Sequence, residues 1–227
     1  MKKLLLILLC LPMIGFGQQT YVPDDNFEQE LINLGYDNIL DDYVITANIS
    51  YLTILYVNNK NISDMTGIEG FTALNNLNCS YNQITTLNLN DNTELVYLTA
   101  NNNNLTTIDI SQNNSLTNIN IKGNQLDELN IQNGFNNNIT TFLSKNNPSL
   151  TCILVDNISW SSNNWTNIDP QHYFSNNCPP PSAIQEHTTN KELLKITDLL
   201  GRETKQTNQP LFYIYDDGTV EKRIVIE

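Results

Sequence analysis

From Leu74 to Gly134 the chain repeats itself every 21 residues, and nearly repeats itself within each copy. Leu74, Leu77, Cys79, Asn82, Ile84, Leu87, Leu89 and Asn92 return 21 positions later as Leu95, Leu98, Ala100, Asn103, Leu105, Ile108, Ile110 and Asn113. They return again as Leu116, Ile119, Ile121, Asn124, Leu126, Leu129 and Ile131, with Gly134 in the last place. A fixed period of this length describes coils that cannot bury their apolar faces alone and must stack on one another. An earlier unit runs through Leu52, Leu55, Val57, Ile62 and Met65, with Lys60 where the others carry Asn. A later unit begins at Ile139, Phe142, Ser144 and Asn147 and continues through Leu150, Ile153 and Val155. About five units therefore occupy residues 52–158.

Each position in the unit has a physical task. In L-x-L the side chains alternate, so two apolar residues point inward and their neighbours point out. Stacked coils pair these short segments into a parallel sheet. The second half of the unit has the same shape, as in Ile84, Leu87 and Leu89, which predicts strands on both faces and no helix on the outer one. Asn82, Asn103, Asn124 and Asn147 are expected to form an inner ladder, because a carboxamide both donates to and accepts from backbone groups that would otherwise be buried unpaired.

The pattern resembles the leucine-rich repeat family, in its bacterial class of nested 21-residue units, over about residues 50–158. The resemblance implies a curved, mainly β solenoid whose strand face usually binds a protein or a glycan. It implies no enzyme chemistry and no cofactor.

Beside the inward pair, the outward positions of the first sheet fall into three columns. The first is Ile54, Asn76, Tyr97, Asn118, Thr141; the second is Tyr56, Asn78, Thr99, Asn120, Leu143; the third is Asn58, Ser80, Asn101, Lys122, Lys145. Tyr56, Asn78, Tyr97, Asn118, Asn120, Lys122 and Lys145 are the candidate ligand-binding residues. The other sheet exposes Thr107, Asp109, Glu128 and Asn130, more acidic and without aromatics, and ranks second.

The formal charge is −13, which disfavours nucleic acid and anionic membranes. The 38 Asn residues sit at fixed offsets between apolar positions, which argues for structure and against a low-complexity tract. At the start, Lys2 and Lys3 precede an apolar run, Leu4 to Phe16, too short to span a membrane. Residues 1–17 read as a secretory signal peptide cut before Gln18. Cys10 lies inside the apolar run after Leu9, which argues against lipidation. No other segment is expected to be transmembrane.

Residues 18–51 read as an N-terminal cap. Asp25 with Glu28 fits a capping box, Phe27, Leu31 and Leu34 share a helical face, and Gly35 suits the helix end. The acidic pairs Asp24, Asp25 and Asp41, Asp42 lack the ligand spacing of a calcium loop. Helix capping and solvated charge are their better uses, and no metal is expected. Residues 159–178 read as a C-terminal cap around Trp160, Trp165, Tyr173 and Phe174, either a plug over the last coil or a sugar platform, with the plug preferred. Cys152 and Cys178 flank that end, and a bridge between them would stabilise it by roughly 3 kcal/mol. Cys79 takes an inward place and reads as a buried thiol acting as a small hydrophobe.

Pro179, Pro180 and Pro181 open a polar linker, 179–190. Residues 191–227 alternate in short strands with a hairpin turn at Asp217-Gly218. Through Asp198-Leu199-Leu200-Gly201-Arg202 and the run from Asp217 to Lys222, residues 188–227 resemble the C-terminal sorting domain of type IX secretion cargo from the Bacteroidetes. That likeness implies the type IX machinery as a partner and export across the outer membrane.

Catalysis needs an acid, base or nucleophile held with a partner in a pocket. Only His172 and His187 are present, and no hydrolase, zincin, Walker or Cys–His signature occurs. The expected function is non-catalytic recognition of a protein or glycan outside the cell or at its surface. The alternatives are a structural or adhesive matrix component, and an inhibitor of an external hydrolase.

Overall fold

A computed structural model describes residues 17–179, 193–197, 202–204, 210–215 and 220–224. Residues 1–16 of the expected signal peptide 1–17, nearly all of the expected linker with His187, and residues Asp198 to Gly201, Asp217 and Gly218, on which the expected sorting resemblance and hairpin turn rest, lie outside the described residues. The chain divides into two compact units, Met1–Pro181 and Ser182–Glu227.

The first unit opens with β1 (Gln19–Tyr21), α1 (Asp25–Asn33), β2 (Tyr43–Ile45) and α2 (Thr46–Ile49); β1 and β2 form an antiparallel ribbon. Asp24, not Asp25, caps α1: its Oδ1 accepts the amides of Asn26 at 3.0 Å and Phe27 at 2.9 Å. With the cap at Asp24, Glu28 falls one residue beyond the capping-box position. Its buried carboxylate accepts the amides of Asp41, Asp42 and Tyr43 at 2.9–3.2 Å instead. The helix ends where Gly35 turns left-handed (φ 80) and Tyr36 donates to the Leu31 carbonyl at 2.9 Å. Leu34, expected on the buried face, is the C-cap and is exposed. Phe27 stacks on Phe71 with ring centroids 6.3 Å apart and seals the first coil.

Two parallel sheets follow. The larger holds β3 (Ile54–Tyr56), β4 (Asn76–Asn78), β5 (Tyr97–Thr99), β7 (Asn118–Asn120) and β9 (Thr141–Leu143) in that order. The smaller holds β6 (Thr107–Asp109), β8 (Glu128–Ile131), β10 (Cys152–Val155) and β11 (Tyr173–Ser175). Each strand of the larger sheet buries its middle residue, Leu55, Leu77, Leu98, Ile119 and Phe142. The smaller sheet buries Ile108, Leu129, Ile153 and Phe174, and one core runs from Val22 to Phe174. The second sheet starts later than the repeat predicts: Leu87 and Leu89 are buried but form no strand. In the unit before them Gly67, at φ 104, stands where Leu89 would be, and the chain turns through a 3-10 helix, Ile68–Gly70. The preceding coil therefore offers that segment no strand to pair with, and β6, one coil later, is the edge of the sheet.

The array ends on α3 (Ile158–Asn164), capped by the Asn157 side chain, which accepts the Trp160 amide at 2.9 Å. Beyond it Leu143 makes a parallel bridge to Asn167, and β11 pairs with β10, so both sheets gain one more rung. Trp165 is buried, its Nε1 donating to the Ile139 carbonyl at 3.1 Å. Its ring meets Phe142 at 4.5 Å and both Trp160 and Phe174 at 5.7 Å, which makes the aromatic segment a plug. Cys152 and Cys178 form a disulfide, with Cα atoms 5.8 Å apart.

A second column follows the strands. Asn59, Tyr81, Asn102, Gly123 and Asn146 all adopt left-handed backbone, φ 55 to 65, three residues after strands of the larger sheet. At Gly123 the coils approach so closely that a Cβ would lie 2.5 Å from Asn102 Oδ1.

In the second unit β12 (Leu193–Thr197), β13 (Pro210–Tyr215) and β14 (Val220–Ile224) form an antiparallel sheet in that order.

Candidate binding face

The register of the larger sheet aligns the outward residues without slippage. Ile54, Asn76, Tyr97, Asn118 and Thr141 are successive Cα partners, as are Tyr56, Asn78, Thr99, Asn120 and Leu143. Tyr56 is 51% exposed and Tyr97 44%, far more than middle-of-strand residues. Asn76 Nδ2 donates to the Tyr56 hydroxyl at 3.0 Å, which fixes that ring against its neighbouring strand.

Several of the amides are partly committed to the fold. Asn78 Oδ1 accepts the Ser80 amide at 3.1 Å and its hydroxyl at 2.6 Å. Asn120 Oδ1 accepts the Lys122 amide at 3.4 Å, and its Nδ2 donates to Asn101 Oδ1 at 3.1 Å. Asn118 Oδ1 accepts the Thr117 hydroxyl at 2.8 Å. The third column is not evenly open: Ser80 and Asn101 are buried, Lys122 is half-buried, and Lys145 is exposed. Its cations therefore border the late coils only. On the smaller sheet Thr107 and Glu128 pair in one column and Asp109 and Asn130 in the other. There Asp109 and Asn130 fold back onto the amides of Ser111 and Gln132.

Beneath the face lies the amide ladder. Asn82 Nδ2 donates to the carbonyls of Val57 at 2.8 Å and Cys79 at 3.0 Å, and its Oδ1 accepts the amides of Lys60 and Ile62. Asn103 donates to Cys79 and Ala100 and accepts from Ile84; Asn124 donates to Ala100 and Ile121 and accepts from Leu105. Asn147 donates to Ile121 and Ser144 and accepts from Leu126. Each side chain thus ties its own coil to the one before, which holds the outward columns in line.

A second ladder was missed in the sequence. Asn92 donates to Ile68 and Phe71, Asn113 to Leu89 and Asn92, and Asn133 to Asn113, all on main-chain carbonyls. Gly134 occupies the expected place in the third copy, and Asn133 beside it takes over the role. Tyr81 was also missed. It is 60% exposed and stands in a column otherwise made of Asn and Gly, and that mismatch was the available signal.

The end of the array brings a serine, a histidine and an aspartate together. Ser144 Oγ lies 3.5 Å from His172 Nδ1, and Asp169 Oδ2 lies 3.5 Å from His172 Nε2. Ser144 is wholly buried, and both contacts are long, so no substrate carbonyl could reach the hydroxyl. The cluster closes the fold. Burial pushes the His172 imidazole below its ordinary range, against the opposing pull of the Asn147 carbonyl and Asp169. Burial would raise Asp169, but the amides of Asn146 and Asn147, with His172 and Lys145, hold it below the usual carboxylate range. At the other end burial likewise opposes Asp24, yet the Ser63 amide and hydroxyl and the Phe27 and Asp64 amides keep it low. Lys60, in the vacant first rung, pairs with Glu30 at 2.9 Å. Among the described residues no group of three His, Cys, Asp or Glu side chains could hold a metal ion, and no helix is long and apolar enough to cross a membrane.

No family model matches the chain. Over 73 residues it is 42% identical to Internalin J of Listeria monocytogenes serotype 4b (strain F2365), a stretch covering 32% of this chain and 8% of that protein. A solved structure, the functional domain of InlJ from Listeria monocytogenes with a cysteine ladder, matches at TM-score 0.50 and 33% identity, covering 60% of this chain and 33% of that one. A crystal structure of internalin C2 from the same species is similar at TM-score 0.46 and 18% identity, over 74% of this chain and 93% of that one. The chain thus spans a small part of the curated relative and a third of the solved InlJ domain. In the present chain the inward column Val57, Cys79, Ala100, Ile121 and Ser144 holds a single cysteine, and asparagines carry the ties between coils. The repeat array is a mainly β solenoid of leucine-rich repeats, similar to part of Internalin J.

Proposed function

We propose that this protein is a secreted or cell-surface recognition protein, without chemistry of its own, that binds a protein or glycan through the outer face of the larger sheet. The observation that carries the reading is the unbroken register of two outward columns bearing Tyr56 and Tyr97 among amides and hydroxyls. Tyrosines offer a large flat contact at low entropic cost, and amides supply hydrogen bonds in both directions. Asn78 lies on the strand between the two rings, Asn118 and Asn120 lie on the strand beyond Tyr97, and Lys122 and Lys145 border the late coils. The similarity to Internalin J falls in with this reading. Residues 1–17 serve as the export signal, and residues 191–227 act as a type IX sorting address for crossing the outer membrane.

The test is a titration of the purified protein against a panel of surface proteins and polysaccharides, with Tyr56→Ala and Tyr97→Ala alongside. The expected result is a ligand whose affinity drops in both variants. If every affinity in the panel is the same for wild type and variants, the face is not the binding site.

A further inference from the structure

The two central columns of the larger sheet carry ten outward side chains, and none of them is charged at neutral pH. This is a neutral field on a chain with 24 acidic and 11 basic residues. A partner presenting carboxylates or sulfates would find a counter-charge only at Lys122 and Lys145 beside the late coils, and one presenting ammonium groups would lose water over these columns without gaining one. A partner presenting hydroxyls would meet amides, threonines and aromatic faces.

A second observation comes from the rim. Tyr81 holds a left-handed backbone, φ 56, where the stacked counterparts are Asn59, Asn102, Asn146 and Gly123. Asn and Gly tolerate this conformation; a bulky side chain is disfavoured in it. Burial does not hold the tyrosine in place, since it is 60% exposed. Backbone strain of this kind clusters at ligand-contacting positions, which makes Tyr81 a candidate contact.

From these observations we infer that the sheet face takes a neutral, hydroxyl-rich polysaccharide laid across the strands, with Tyr56 and Tyr97 as stacking rings and Tyr81 as a third ring at the rim. The inference rests on the recognition function proposed above and names its ligand class. Tyr56 and Tyr97 stand two strands apart, roughly 10 Å at the usual spacing of neighbouring strands. A run of sugar rings can therefore meet both.

The experiment is affinity electrophoresis of the full chain through gels containing mixed-linkage β-glucan, xylan or galactomannan, with polygalacturonate and alginate as anionic counterparts. At least one neutral polymer is expected to retard the protein, and the anionic ones to leave it unretarded. Tyr81→Asn is expected to raise Tm while weakening that retardation about tenfold, and Tyr81→Phe to change neither. Retardation only by the anionic polymers, or by none, overturns the inference. Tyr81→Asn with unchanged retardation removes Tyr81 from the site, and Tyr81→Asn without a gain in Tm removes the strain argument. A protein ligand lost in Tyr56→Ala, with every neutral polymer inert, would sink the polysaccharide and leave recognition by this face standing.

Discussion

Asp169 accepts the amide of Asn147 at 2.8 Å from a position 22 residues further on, one repeat length beyond the last rung of the asparagine ladder. Its other oxygen takes the Asn146 amide at 3.0 Å. In the interior each Asn accepts from the preceding coil and donates to carbonyls. At the end only acceptance is needed, and a carboxylate does that without leaving a donor unpaired. Asp169→Ala is expected to lower unfolding free energy by about 2 kcal/mol, the value of charge-assisted bonds to backbone. Asp169→Asn should cost less, and urea denaturation of both variants decides the order.

Acid should weaken the protein in two steps. His172 is held neutral by burial, while the unfolded chain protonates it near 6.5. Stability from this group is complete above about pH 6.5 and falls as the pH drops through that value towards the folded pKa. Asp24 and Asp169 are depressed in the fold, so their contribution is complete above the unfolded value near 3.9 and is lost as pH falls through their folded values. Urea midpoints measured across pH should fall first on passing roughly pH 6 and again below about pH 4. A His172→Gln variant should lack the first fall; its persistence would assign that step to another group.

The two ladders are expected to differ in strength. Asn103 makes two donations and one acceptance, while Asn113 makes two donations and leaves its Oδ1 buried without a protein partner among the described residues. Asn103→Ala should cost about 3 kcal/mol or more, because three buried backbone groups lose their partner. Asn113→Ala also removes an unsatisfied acceptor and should cost less. Equal losses by thermal unfolding would mean that the Asn113 oxygen is satisfied in solution.

Cysteine chemistry separates the two thiol types. Burial pushes the Cys79 thiol up to about 12, so protein lacking residues 1–17, and with them Cys10, should give no reaction with a thiol reagent at neutral pH and one equivalent after denaturation. Cys152→Ser with Cys178→Ser frees a loop with sequence separation 26, which should cost about 3.5 kcal/mol by the chain-entropy account. A native thiol that reacts at once would show that the second coil opens.

The coils were legible in the sequence because period and alternation act together. Leu77, Leu98 and Ile119 could be inward only if their neighbours pointed out, and the register of β4, β5 and β7 follows from that. Features that depend on one residue's offset were not legible. Asp24 and Asp25 are equally good caps until the chain commits to a first turn. Asn133 replaces Asn113's column mate because Gly134 breaks the spacing by one. Asp169 falls within one residue of the repeat interval, but the leucines that would flag it have given way to Trp165 and Phe174. For the binding face, the outward columns were readable, yet the inward folding of Asn78 and Asn120 onto Ser80 and Asn101 depends on turns that no periodicity reports.

The disulfide also sets where tension enters the protein. Cys178 lies immediately before the proline run that leads to the tail, and its sulfur is bonded to Cys152 at the head of β10. A pull applied beyond residue 178 therefore reaches β10 through the sulfur bridge. The residues between the two cysteines, with the aromatic plug and the Asp169 closure, hang outside that load path as a slack loop. The solenoid can be tugged by its tail without its last coil being peeled away first.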